Sequence, residues 1–139
     1  MNTETTGKVP AHLWAVGGLS LLWNAFGCYI YTITMMRDPA MMAQASEEMR
    51  AAIESTPMWA NSAWALGVWG ALIGSILLLM RNRLALHAYA VSLLGLIGTA
   101  IYEVTSGIPV NLPQIATIWA VALFLLWYAW SMTKTGVLR

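Results

Sequence analysis

Four apolar runs constrain this chain more than any other feature. They cover residues 11–34, 58–80, 84–104 and 112–132. A helix needs about 20 apolar residues to cross a bilayer. Lipid offers the backbone no hydrogen-bond partners, so each run must satisfy its own N–H and C=O groups as a helix. Composition agrees: hydrophobic residues make up 59% of the chain and charged residues 9%. A soluble domain carries about 25% charged residues. The expected fold is therefore all-α. It is a polytopic membrane protein of one domain, residues 1–139, with four transmembrane helices in a left-handed bundle.

Helix starts are marked by capping residues. Asp38 before Pro39 reads as an N-cap followed by proline in the first turn. Thr56–Pro57 and Asn111–Leu112–Pro113 repeat the signal before the second and fourth spans. The segment "PAMMAQASEEMRAAIE" places Met42, Ala45, Met49, Ala52 and Ile53 on one face. This predicts one short amphipathic helix over 39–54, at the membrane surface or capping the bundle.

Charge sets the expected orientation. Lys8, Arg81, Arg83, Lys134 and Arg139 flank the spans on one side, and Arg37 and Arg50 on the other. The positive-inside rule then puts both termini in the cytoplasm. Aromatic belts fit this sense, with Trp14, Tyr89, Trp127, Tyr128 and Trp130 near the inner interface. Tyr31, Trp59 and Tyr102 fall near the outer one.

Inside the spans, small and polar residues recur with a 3–4 spacing. The first has Gly17, Ser20, Asn24, Gly27 and Tyr31. The second has Ala60, Ala63, Gly67, Gly70 and Gly74. The third has Ala85, Ala88, Ser92, Gly95, Thr99 and Tyr102. Such a stripe keeps facing a partner in a left-handed bundle and lets backbones approach closely. Asn24 thus faces another helix, with Ser92, Thr99 or a carbonyl of the second span as expected partners. It is either a packing bond or part of a midplane solute site. Cys28 reads as a small packed group.

Candidate chemistry is sparse. Glu103 is the one carboxylate within a span, close enough to its end to reach headgroup water. It is either a solvated interface residue or a proton or cation site. A candidate substrate-binding cluster in the outer half comprises Asn24, Tyr31, Asn61, Trp64, Thr99, Tyr102 and Glu103, with Gln114 and Thr117 at comparable depth. No nucleophile–base pair, phosphate-binding glycine loop or metal constellation is present in the sequence. No enzyme activity, cofactor or metal is expected. No Lys/Arg cluster suggests nucleic acid.

The segments "LLWNAFG", "TPMWANSAWALGVWGALIGSILLLMRNRLAL", "VSLLGLIG" and "FLLWYAW" span all four runs. In these the chain resembles small four-helix bacterial inner-membrane proteins often labelled "sugar transporter". The resemblance implies a bacterial inner-membrane location and carries no catalytic or substrate residues. Glu103 departs from it, since an uncharged residue is expected there. Two functions follow as expectations. One is a solute-binding or transporter-like bundle acting as a homo-oligomer on a small polar solute. The other is a non-catalytic accessory subunit packed against a larger membrane complex. The lipid bilayer is the partner common to both.

Overall fold

A computed structural model of the chain describes residues 9–107 and 111–139. Lys8, one of the cations used for orientation, lies outside them. The described residues form six α-helices and no strands. They are α1 (Ala11–Met35), α2 (Pro39–Gln44), α3 (Glu47–Ser55), α4 (Met58–Leu79), α5 (Leu84–Ser106) and α6 (Leu112–Lys134). Helices α1, α4, α5 and α6 are long and apolar enough to cross a membrane. The chain is an all-α, multi-pass membrane protein.

Capping chemistry sets the boundaries. The Asp38 carboxylate accepts from the Met41 N–H at 3.1 Å, and the Asn111 amide oxygen accepts from the Gln114 N–H at 3.2 Å. Thr56 behaves differently from its expected role. Its hydroxyl donates to the Ala52 carbonyl at 2.6 Å and closes α3, while Pro57 precedes α4 without a side-chain cap.

The single amphipathic helix expected over 39–54 is two helices. Ala45 is extended, and Ser46 accepts from the Met49 N–H at 3.1 Å to start α3. Serine is a strong N-cap, and Glu47 and Glu48 in the first turn complement the helix dipole.

Three of the long helices end alike. In α1, α4 and α6 the residue after the C-cap is left-handed: Arg37 (φ 51°), Arg81 (φ 57°) and Gly136 (φ 83°). The N–H groups of Asp38, Asn82 and Val137 bond to the carbonyls of Ile33, Leu77 and Met132, five residues back in each case. This is the Schellman arrangement. At the two arginines the left-handed backbone costs about 1–2 kcal/mol. Further contacts offset it. Arg37 pairs with Glu54 at 2.8 Å, and Arg81 Nε donates to the Val137 carbonyl at 3.1 Å.

Packing follows the order α1–α4–α5–α6. Helices α4 and α5 touch along their whole length. Trp59 stacks edge-on against Tyr102 at one end, and Gly74 faces Tyr89 near the other. Their closest approach is at Gly95, where an added Cβ would lie 2.5 Å from the Gly67 nitrogen. Helix α1 lies on the other side of α4, with Gly17 against Leu79 and Tyr31 against Trp64.

The main apolar cluster lies at one end of the bundle. Leu13, Leu78, Ala85, Leu125, Ala129 and Met132 meet there, and the Schellman turn folds Val137 and Leu138 in beneath them. The 80–83 link and residues 134–139 share this end, hereafter the basic end. The opposite, acidic end carries the 36–57 connection.

Candidate functional site

Asn24 is 7% exposed and bonds to α4. Its Nδ2 donates to Ser75 Oγ at 2.8 Å and to the Ala71 carbonyl at 3.2 Å. Both amide hydrogens are used. Ser75 is fully buried and also contacts Ser20 Oγ at 3.0 Å and the Tyr89 hydroxyl at 2.9 Å. A hydroxyl has one hydrogen and two lone pairs. Ser75 therefore accepts from Asn24 and Tyr89 and donates to Ser20. Ser20 in turn donates to the Gly17 carbonyl at 3.0 Å. The proton order is fixed from Tyr89 to a backbone oxygen, and the Ser75 hydroxyl has no valence left.

This cluster joins α1, α4 and α5, and two further bonds repeat its logic. Cys28 Sγ donates to the Val68 carbonyl at 3.3 Å, and Ser92 Oγ to the Gly67 carbonyl at 2.6 Å. Side chains from both neighbours thus add donors to the carbonyls of α4, the central helix. The expected partner of Asn24 on the second span is present, as Ala71. Ser92 and Thr99 on the third span are not its partners. Ser92 is committed to Gly67, and Thr99 donates back to Gly95 in its own helix at 3.1 Å.

The seven candidate site residues do not come together as one group. Asn24 pairs with Ser75, four residues from the basic end of α4. Tyr31 lies seven residues further along α1, about 10 Å away at 1.5 Å per residue. The middle of α1 is not the middle of the bundle, because the first turns of α1 project past the end of α4, where Gly17 meets Leu79. Tyr31 and Trp64 do meet, edge to face, with ring centroids 5.0 Å apart. Tyr102 pairs instead with Trp59, at 5.6 Å. Asn61 is half-buried in the first turn of α4. Gln114 is exposed, and the Thr117 hydroxyl folds back onto the Pro113 carbonyl at 2.9 Å.

Glu103 lies on another face. With Ala100, Val104, Leu112 and Ile115 it borders a groove of about 190 Å³ between α5 and α6. The groove wall is almost entirely apolar, so Glu103 contributes its methylenes more than its oxygens. No ion pair involves its carboxylate among the described residues.

No family model, curated protein or solved structure matches this chain. Among the described residues, no three His, Cys, Asp or Glu side chains gather as a metal would require.

Two residues that matter carry more than a belt position. Tyr89 and Tyr128 lie toward the basic end, at the depth read for an aromatic belt, but they face into the bundle, 3% and 5% exposed. Tyr89 completes the Ser75 cluster. Tyr128 bonds through its hydroxyl to His12 Nδ1 and so ties α6 to α1. The signal for Tyr89 was available: it lies four residues after Ala85 and three before Ser92, on the packed stripe. Gly74 opposite it supplies the room, since a Cβ there would lie 2.8 Å from the ring.

Proposed function

We propose that this chain is a non-catalytic structural or accessory component of the bacterial inner membrane, with both termini in the cytoplasm. It acts through helix–helix contacts with a second copy or with a larger membrane complex. One observation carries this reading. The hydrogen-bond donors deepest in the bundle, on Asn24, Ser20, Ser75, Tyr89 and Ser92, are committed to one another and to backbone carbonyls of α1 and α4. A solute would have to break those bonds and replace them in kind.

A thiol placed at Ala71, beside Asn24, tests it in a Cys28→Ala background. In intact membranes the thiol is expected to resist a membrane-impermeant maleimide, while a thiol at exposed Ser55 reacts. Rapid labelling at position 71 would reveal a water path and overturn the reading.

The solute-binding reading keeps one observation in its favour. The groove beside Glu103 and the Tyr31–Trp64 and Trp59–Tyr102 pairs all lie toward the acidic end. A small polar solute held there would have to use that end rather than the centre of the bundle. The likeness to proteins labelled as sugar transporters belongs to this second reading.

A further inference from the structure

We infer that the groove between α5 and α6 binds a small amphipathic organic cation, with its apolar body against Ala100, Val104, Leu112 and Ile115 and its ammonium head on the Glu103 carboxylate. Shape supplies the first half of the match. The groove holds about 190 Å³, and Glu103 is the one polar residue along its wall. Pockets for drug-sized ligands are mostly apolar with a few placed polar groups, and run to about 300–1,000 Å³. This one is smaller, so its ligand is short. The groove follows residues 100–104 of α5 and 112–115 of α6, about one turn of each helix. That is too short a bed for a partner helix.

Charge supplies the other half. A carboxylate within a span is costly unless a cation pairs with it. Among the described residues none of the chain's own cations does. Arg37 pairs with Glu54 at 2.8 Å, and Arg50 Nη1 donates to the Met42 carbonyl at 3.1 Å. Arg81, Arg83, Lys134 and Arg139 lie at the basic end. Glu103 is three residues before Ser106, the last of α5, so it lies about 4.5 Å in from that helix end. A cationic head there stays near water while its apolar body enters the groove. The helix ends agree. The C-terminus of α5 is the negative end of its dipole. At the N-terminus of α6, Asn111 already accepts from the Gln114 N–H at 3.2 Å and Pro113 has no N–H, which leaves little for an anion. Asp38, Glu47, Glu48 and Glu54 share this end of the bundle and draw cations toward it. Phosphatidylethanolamine fits less well, because its phosphate lies between the acyl chains and the ammonium and would meet Glu103 first. The inference deepens the solute-binding reading. It leaves the accessory reading untouched, since the thiol at position 71 probes another layer of the bundle.

Equilibrium dialysis of the purified chain in neutral detergent tests this, against empty micelles, with three probes of one length: hexylammonium, hexanol and hexanesulfonate. Hexylammonium is expected to be retained above empty micelles, about fivefold more tightly than hexanol, and hexanesulfonate to be excluded. Glu103→Gln keeps the shape and should remove the preference for the ammonium over the alcohol. Ala100→Leu narrows the groove and should weaken both. No retention above empty micelles, equal affinity for the three probes, or an undiminished ammonium preference in Glu103→Gln overturns the site. Displacement of hexylammonium by phosphatidylethanolamine but not by phosphatidylcholine assigns the groove to a lipid and overturns the ligand class. Should Glu103→Gln not fold, the unaltered chain decides. An ammonium preference that vanishes in acid, where carboxylates are neutral, supports the site, and one that persists there sinks it.

Discussion

Helices α4 and α5 and helices α5 and α6 are both antiparallel neighbours joined by short connections, yet they pack in different ways. The first pair touches from Trp59–Tyr102 to Gly74–Tyr89, with Ala63, Gly67, Gly70, Ser92, Gly95 and Gly98 between. The second pair meets closely at the basic end, through Ala85, Tyr89, Leu125, Tyr128, Ala129 and Met132. Toward the acidic end a groove opens between them beside Ala100 and Ile115. In lipid there is no hydrophobic drive to close a helix pair, so contact persists only where surfaces fit. Glycine on both sides gives that fit along α4–α5. Bulkier side chains give it to α5–α6 at one end only.

The most damaging way to break the first interface is Gly95→Ala. The new Cβ would lie 2.5 Å from the Gly67 nitrogen and 2.6 Å from the Ala63 carbonyl oxygen. These are backbone atoms, which cannot rotate aside, so the helices must separate. The expected cost is about 3 kcal/mol, the upper part of the usual range for overpacking. Gly67→Ala should cost far less, because the nearest atoms to its Cβ lie at 3.7 Å. Unfolding in mixed micelles compares the two. Equal losses would mean that α4 and α5 do not meet as closely as this.

Much of this was legible in the sequence, and the exceptions have physical causes. The four long helices begin at Ala11, Met58, Leu84 and Leu112, where the apolar runs begin. Proline and capping side chains fix where a helix can start, and apolar length fixes how far it runs. The stripes were legible because small residues at 3–4 spacing have few other uses in lipid. Depth was harder. It depends on how far one helix slides past another, and α1 slides past the end of α4. That moved Asn24 away from the other candidate site residues. For Tyr89 and Tyr128 the depth was legible and the burial was not. Their distance from a helix end sets the depth, whereas their burial depends on a facing glycine and a facing histidine. The split of the 39–54 segment at Ser46 was a local signal overridden by an attractive amphipathic pattern.

The uneven attachment of α6 can be sharpened with two substitutions on that helix. Leu125 is 3% exposed and belongs to the core cluster, whereas Ile115 borders the groove. Leu125→Ala should cost about 2 kcal/mol, the low end of the range for emptying a core site. That low value is expected because lipid-exposed apolar surface is not itself penalised. Ile115→Ala should cost under about 0.5 kcal/mol, since the space it leaves joins an existing groove. A large loss at Ile115 would mean that the groove is filled by something else, such as a partner helix, and would favour the accessory reading.

The smallest expected contrast separates bonds between helices from bonds within one. Ser75→Ala removes the acceptor of Asn24 and of Tyr89 and the donor to Ser20. Interhelical hydrogen bonds in membranes average about 0.6 kcal/mol, with larger single values near 1.7. The partners of Ser75 can find little else, because the site is buried. The expected loss is therefore about 1 kcal/mol, well short of three full bonds, since the Ala71 carbonyl still accepts from Asn24. Thr99→Val keeps the shape of the side chain and removes only a bond to Gly95 in the same helix. Its cost should be under about 0.5 kcal/mol. A reversal, with Thr99 the more costly, would move the important polar group from the Ser75 layer toward the acidic end. It would also reopen the case for a solute site at that end.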